Sequence, residues 1–218
     1  MSKDLLRIAI DGPAGAGKST MAKLLAKELG IDYVDTGAMY RAIALKLLRT
    51  GTDCADPQAL QALLDTTDVD ICGGRVTLDG EDAEGFIRTP EVSEMASVSS
   101  AIPAVRKKLV ALQRAMGTRK SLVMDGRDIG TNVLKDAEHK FYLTASVRVR
   151  ALRRMEELKA RGLEEDLEKV EEDIASRDYR DMHRDTDPLV QAEDAVLIDS
   201  SDMSIEEVIA EMKRIIEG

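Results

Sequence analysis

Gly12, Gly17, Lys18 and Ser19 stand at the spacing G-x-x-x-x-G-K-[ST], and that spacing has a chemical purpose. Glycines let the backbone curl until several N–H groups point at one centre, and a helix start behind them adds partial positive charge. Within Gly12, Pro13, Ala14, Gly15, Ala16, Gly17, Lys18, Ser19 and Thr20, the lysine can reach the outer phosphates of a triphosphate. The serine hydroxyl can bind Mg²⁺. Further on, the apolar run Ser121-Leu122-Val123-Met124 ends in Asp125. A carboxylate at a strand's end beside a phosphate loop can hold the same metal or its waters. The loop alone does not choose among kinase, switch and motor.

These groups need a rigid frame, and the pattern predicts one. The apolar run Ile8-Ala9-Ile10 reads as a buried strand before the loop, and 21–30 as an amphipathic helix stopped by Gly30. Residues 31–35 read as a second strand, followed by a helix that stops at Gly51. Further strands are expected at 121–125, 140–144 and 195–199. Strand alternating with helix predicts an α/β fold: a five-stranded parallel sheet flanked by helices, of the P-loop NTPase type. Ser204 and Glu207 form a capping box for the last helix. The rhythm breaks between 52 and 118. There Asp56-Pro57, Thr89-Pro90 and Pro103 open helices, and 69–78 reads as an antiparallel hairpin. The core is thus expected over 1–51 and 119–218, with a small α+β insert at 52–118.

Bulk properties narrow the function classes. The chain has 218 residues, 44% of them hydrophobic and 33% charged, an ordinary globular composition. The net charge of −10 argues against general nucleic-acid binding, which needs a basic footprint. Cys54 and Cys72 share no metal-ligand spacing and read as reduced thiols. No signal peptide or run near 18 apolar residues is present, so a cytoplasmic protein without membrane contact is expected. Nothing in the pattern demands an oligomer, and a monomer is expected.

A second set of groups lies where ligands of parallel sheets bind, at the carboxyl ends of strands. Asp35, Thr36, Tyr40 and Arg41 follow one such end, and Arg127 and Asp128 follow another in a glycine-flanked turn. Ser146 caps a helix carrying Arg148, Arg150, Arg153 and Arg154. An acidic stretch, 162–173, reads as mobile. Beyond it Arg177, Asp181 and Arg184 fall at i, i+4 and i+7, one face of a helix. Two arginine-bearing segments around a loop suggest a short helical lid, about 155–184, whose arginines meet a transferring phosphoryl group. Ser97 and Arg106 on the insert are undecided by chemistry alone, because a solvated face explains them equally well. Together these features describe a small-molecule kinase with two phosphate sites.

Five stretches go further. Residues 10–20, 35–41, 87–92, 125–131 (Asp-Gly-Arg-Asp-Ile-Gly-Thr) and 177–181 (Arg-Asp-Tyr-Arg-Asp) resemble those of the bacterial cytidylate kinases, over essentially the whole chain. The 125–131 run is far more specific than the phosphate loop. The resemblance implies that the insert is a nucleoside-monophosphate-binding subdomain. It implies transfer of the γ-phosphoryl group of ATP to CMP or dCMP with Mg²⁺, the metal held by Ser19 and Asp125. Gly12 to Thr20, with Arg150 and Arg154, would bind ATP. Thr36, Tyr40, Arg41 and Arg127 would hold the acceptor monophosphate or its ribose end. Ser97, Arg106 and Asp128 would read cytosine, and Arg177, Asp181 and Arg184 would contact its sugar and phosphates. Lys18, Arg127, Arg177 and Arg184 would be catalytic. Rival expectations are a kinase for UMP, AMP or a sugar acid, and a nucleotide-binding switch. The switch predicts an N-K-x-D motif, which the sequence lacks.

Overall fold

The computed structural model describes residues 5–160 and 162–218, and the side chain of Cys72 lies outside the description, as does the reading of that thiol. The chain divides into two compact units. One runs to Tyr33 and resumes at Ser121; the other is Val34–Lys120.

The first unit is organised on a five-stranded sheet. β1 (Arg7–Asp11), β2 (Asp32–Asp35), β6 (Leu122–Gly126), β7 (His139–Thr144) and β8 (Val196–Asp199) lie in the order β2-β6-β1-β7-β8. β1 pairs in parallel with β6 and β7, and β7 with β8. β1 is therefore the strand from which the order departs in both directions, the switch point where parallel sheets bind ligands. Its Ile8, Ala9 and Ile10 are wholly buried. Ile8 and Ile10 pack with α1 (Lys18–Leu29) and with Val208, Ile209 and Met212 of α8 (Ile205–Glu217) in one core. Gly30 ends α1 in the left-handed conformation, and the expected capping box opens α8.

The second unit holds α2 (Thr36–Thr50), α3 (Pro57–Asp65), β3 (Val69–Cys72), β4 (Arg75–Leu78), β5 (Glu81–Asp82), α4 (Pro90–Ser99) and α5 (Pro103–Gly117). Asp35, Asp56 and Thr89 cap α2, α3 and α4 with their side chains. The expected hairpin is part of a three-stranded antiparallel sheet, since the two-residue β5 adds to β4 after the turn at Asp79-Gly80. So short a strand carries no periodicity to read. The compact unit also begins before residue 52. α2 packs against α4, α5, β3 and β4, which draws it into this unit.

α6 (Val147–Ala160) and α7 (Leu167–His183) pack on each other in the first unit. Here the sequence expectation is corrected. The acidic stretch 162–173 is not a loop to its end: α7 begins at Leu167, capped by Asp166, whose carboxylate accepts from Glu168 N and Lys169 N. Val170 and Ile174, one helical turn apart, bury against Ala151 and Leu158. A dense acidic face hid that two-residue stripe. At the other end α7 stops at His183, so Arg184 caps the helix in an extended conformation rather than continuing its face. Among the described residues, no helix is long and apolar enough to cross a membrane.

One buried carboxylate fixes the turn after β6. Asp11, at the end of β1, accepts from Ile129 N at 2.8 Å and Gly130 N at 2.7 Å. Those residues open a π-helix, Ile129–Val133, where a plain turn was expected. Burial pushes the Asp11 carboxyl up to about 6, aided by Asp128 and opposed by the two N–H groups and Lys18. The folded value exceeds that of an unfolded aspartate, about 3.9. The folded state therefore holds this proton more tightly. The stability linked to it is fully present below about pH 4 and is lost as pH rises toward 6. The Asp11 carboxyl-carbon resonance should accordingly titrate near 6, and Asp11→Asn should abolish that pH dependence of the denaturation midpoint. A midpoint near 4 would contradict this account.

Candidate functional site

The phosphate loop joins β1 to α1, and close approach dictates its glycines. Gly12 sits at φ 147°, and a Cβ there would lie 1.9 Å from the carbonyl oxygen of Leu143 on β7. Gly15 and Gly17 also have positive φ, and a Cβ on Gly15 would lie 3.2 Å from Arg150 Cβ. Gly17 caps α1 without any side-chain bond. Such a helix start offers its first N–H groups, with the dipole behind them, to an anion.

The loop's carbonyls are held by cations. Lys18 Nζ donates to Pro13 O at 2.7 Å, Arg150 Nη1 to Ala14 O at 2.8 Å and Arg153 Nη1 to Ala16 O at 3.4 Å. Lys18 is buried, and burial together with neighbouring Arg127 and Arg177, against the pull of Asp125 and Asp181, lowers its ammonium pKa to about 7. Phosphate oxygens would supply the counter-charge this lysine needs. Ser19 and Asp125 meet as expected: Ser19 Oγ donates to Asp125 Oδ2 at 2.8 Å. Tyr33 Oη donates to Oδ1 at 2.8 Å, so the carboxylate is oriented from both sides. Among the described residues no cluster of three His, Cys, Asp or Glu side chains could hold a metal. A cation here would take oxygens from this pair and from the phosphates.

Arginine–carboxylate pairs surround this loop in the same unit. Arg127 Nε meets Asp181 Oδ2 at 2.8 Å. Burial works to raise the Asp181 pKa, but Arg127, Arg177 and Arg184 hold its carboxyl below the usual range. Asp128, buried, accepts from Arg184 Nη2 at 3.1 Å on one oxygen and from Asn132 Nδ2 at 3.0 Å on the other. Thus Lys18, Ser19, Asp125, Arg127, Asp128, Arg177, Asp181 and Arg184 belong to one electrostatic network. Arg154 is drawn elsewhere: it is half exposed and pairs with Glu157 on its own helix.

The second unit carries its own set. Asp35 is the hub. Its Oδ1 accepts from Ala38 N, and its Oδ2 faces Arg41 Nη2 at 3.2 Å and Arg88 Nη2 at 3.5 Å. Thr36 is buried beside it at the start of α2. Arg106 is 2% exposed, donates to Ser100 O at 3.4 Å and lies 5.8 Å over the Tyr40 ring. That contact brings it to the carboxyl end of α4. There the hydroxyls of Ser97 and Ser99 are buried without a hydrogen-bond partner, as is Arg41 Nε. Each such group is unfavourable by about 1–3 kcal/mol unless a ligand satisfies it.

Sequence reasoning gave no role to Asp11, Tyr33, Arg88, Asn132 or Asp178. Asp11 alone carried a signal: a charge closing a wholly apolar strand. Tyr33 and Asp178 depend on contacts 92 and 164 positions apart, Arg88 on a distant carboxylate, and Asn132 on an Asp128 one helical turn earlier. The Gly12 geometry yields a direct test. Gly12→Ala should destabilise by at least about 2 kcal/mol in chemical denaturation. Gly30→Ala, also at positive φ but with nothing within 4 Å, should cost only about 1 kcal/mol. Equal losses would remove close approach as the constraint.

The comparisons agree with this geometry. The Cytidylate kinase family model matches residues 8–218. A cytidylate kinase of Caldanaerobacter subterraneus subsp. tengcongensis is 53% identical over 94% of this chain and 91% of its own. One from Symbiobacterium thermophilum is 49% identical over 96% and 95%. Among solved structures, a shikimate kinase from Acinetobacter baumannii in complex with shikimate aligns with a TM-score of 0.51 at 19% identity, over 98% of this chain and 94% of its own. That likeness speaks to the P-loop kinase fold alone. With a family match running from β1 to the last residue, and with the phosphate loop, the strand-end aspartate and the paired arginines in place, the chain belongs to the cytidylate kinase family.

Proposed function

We infer that this kinase transfers the γ-phosphoryl group of ATP to CMP or dCMP. The observation that carries the reading is the buried Arg106 guanidinium, held to Ser100 O at the end of a helix whose Ser97 hydroxyl is buried without a hydrogen-bond partner. Buried polar groups of this kind suit a flat, polar ligand edge. Cytosine offers carbonyl and ring-nitrogen acceptors to Arg106 and an amino donor to a carboxylate, the role Asp128 would take. Uracil reverses the pattern and would leave those groups mispaired. Thr36, Tyr40, Arg41 and Arg127 would hold the acceptor phosphate. Arg177 and Arg184 would meet the sugar and transferring phosphoryl oxygens, with Asp181 accepting from a ribose hydroxyl. Gly12 to Thr20 would cradle the ATP phosphates. Arg154 would serve the donor side by giving up its exposed pair with Glu157, which is worth little.

Each group then has a physical task. Loop N–H groups, Lys18 and the arginines neutralise charge spread over the transferring phosphoryl group, the main source of catalysis in this reaction class. Mg²⁺ bound here would neutralise and orient the ATP phosphates. The Ser19–Asp125 pair fits it, because hydroxyl and carboxylate are the hard oxygen donors that cation takes. If so, Asp125→Asn should raise the Mg²⁺ concentration for half-maximal rate by about tenfold or more; an unchanged requirement would contradict the assignment.

An acceptor panel in a coupled ADP-release assay tests the substrate. CMP should exceed UMP in kcat/KM by about 10²-fold or more, and AMP and sugar acids should be poorer still. Asp128→Ala should erase most of that discrimination while ATP affinity stays within about twofold. Equal rates with CMP and UMP in the parent enzyme would overturn the cytosine reading. Absence of CMP binding in calorimetry would favour the nucleotide switch.

A further inference from the structure

Asp178 lies on α7, one residue past Arg177, and it is buried against the phosphate loop. Its Oδ2 pairs with Arg150 Nη1 at 2.6 Å, and its Oδ1 accepts from Ala14 N at 3.2 Å. Arg150, also buried, donates from the same Nη1 to Ala14 O and from Nε to Ala145 O, both at 2.8 Å. The two side chains therefore grip both backbone groups of Ala14.

A trans peptide holds its carbonyl and the following N–H on opposite sides. With Ala14 O drawn to Arg150, the N–H of Gly15 must face away from α6. Arg153 does the same to Ala16 O, which turns Gly17 N–H, and Lys18 on Pro13 O turns Ala14 N–H toward Asp178. The loop's positive φ angles at Gly15 and Gly17 allow many conformations. These grips select one, in which the Gly15 and Gly17 N–H groups point away from the helices that hold the loop.

We propose that Asp178 is a positioning residue for the donor phosphates, acting through Arg150 and Ala14 to fix the Gly15 N–H. It touches no reacting atom. The proposal rests on the reading of this loop as the nucleotide site, and not on the identity of the acceptor. Asp178→Asn keeps the size of the side chain, but its neutral amide no longer balances the buried Arg150. It should weaken ADP binding, measured by calorimetry on the full chain, about tenfold. KM for ATP should rise in parallel while KM for CMP stays within about twofold. Arg150→Ala should show the same split, and the double variant should lose much less ADP affinity than the two single effects combined, because both act on one peptide. A lower melting temperature with unchanged ADP affinity would reduce the pair to a structural bridge and overturn the proposal. An equal rise in the CMP KM would do the same by making Asp178 an acceptor-side residue. Should Asp178→Asn not fold, Asp178→Glu, with the charge on a longer arm, carries the same expectation of weaker ADP and unchanged CMP KM. ADP binding needs no acceptor, so failure of the CMP reading would leave this outcome intact.

Discussion

Buried arginines need counter-charges before any substrate arrives, and that requirement shapes both units. Arg127–Asp181, Arg184–Asp128, Arg150–Asp178 and Arg41–Asp35 each set a guanidinium against a carboxylate. Removing one member of such a buried pair is costly, about 3–5 kcal/mol, because the other is left unbalanced in a poor solvent. The carboxylates therefore serve folding first. They also hold planar donors in fixed orientations. A protein with a net charge of −10 can thus bind polyanions: its excess acid lies on the surface, while cations concentrate around the phosphate loop.

The sheet sets the geometry within which those charges act. Parallel pairing puts the ends of β1 and β6 side by side, with Asp11 opposite Gly126 in register. Asp11 can then reach the N–H groups that follow β6, and Ser19 can reach Asp125. Gly12 passes so close to Leu143 O of β7 that no side chain fits. The phosphate loop, the Ser19–Asp125 pair and the turn after β6 are consequently tied together where the strand order departs from β1 in both directions.

Much of this was legible in the sequence wherever the determinant was local. The loop needs only its own glycines and the helix behind it; the caps Asp56, Thr89 and Ser204 act on residues two or three positions away. The resemblance to the family rested chiefly on the Asp125–Thr131 run, which is also contiguous. What escaped was nonlocal or diluted. Asp178 looks like one acid among several on α7, and only the fold brings it to Ala14, 164 positions earlier. Val170 and Ile174 were masked by the acids around them. β5, at two residues, is shorter than any pattern that could announce it.

The division of charge between the units has its own logic. In the second unit Asp35 balances Arg41 and approaches Arg88, while Arg106 rests on Tyr40 and a backbone carbonyl. In the first, Asp181, Asp128 and Asp178 balance Arg127, Arg184 and Arg150. Arg41, Arg127, Arg150 and Arg184 each face a carboxylate of their own unit. In the second unit the Ser97 and Ser99 hydroxyls and Arg41 Nε are buried without a hydrogen-bond partner. A nucleotide that satisfies them supplies free energy that the protein's own contacts leave unrealised. That free energy is available to recognition without weakening the pairs that hold either unit together.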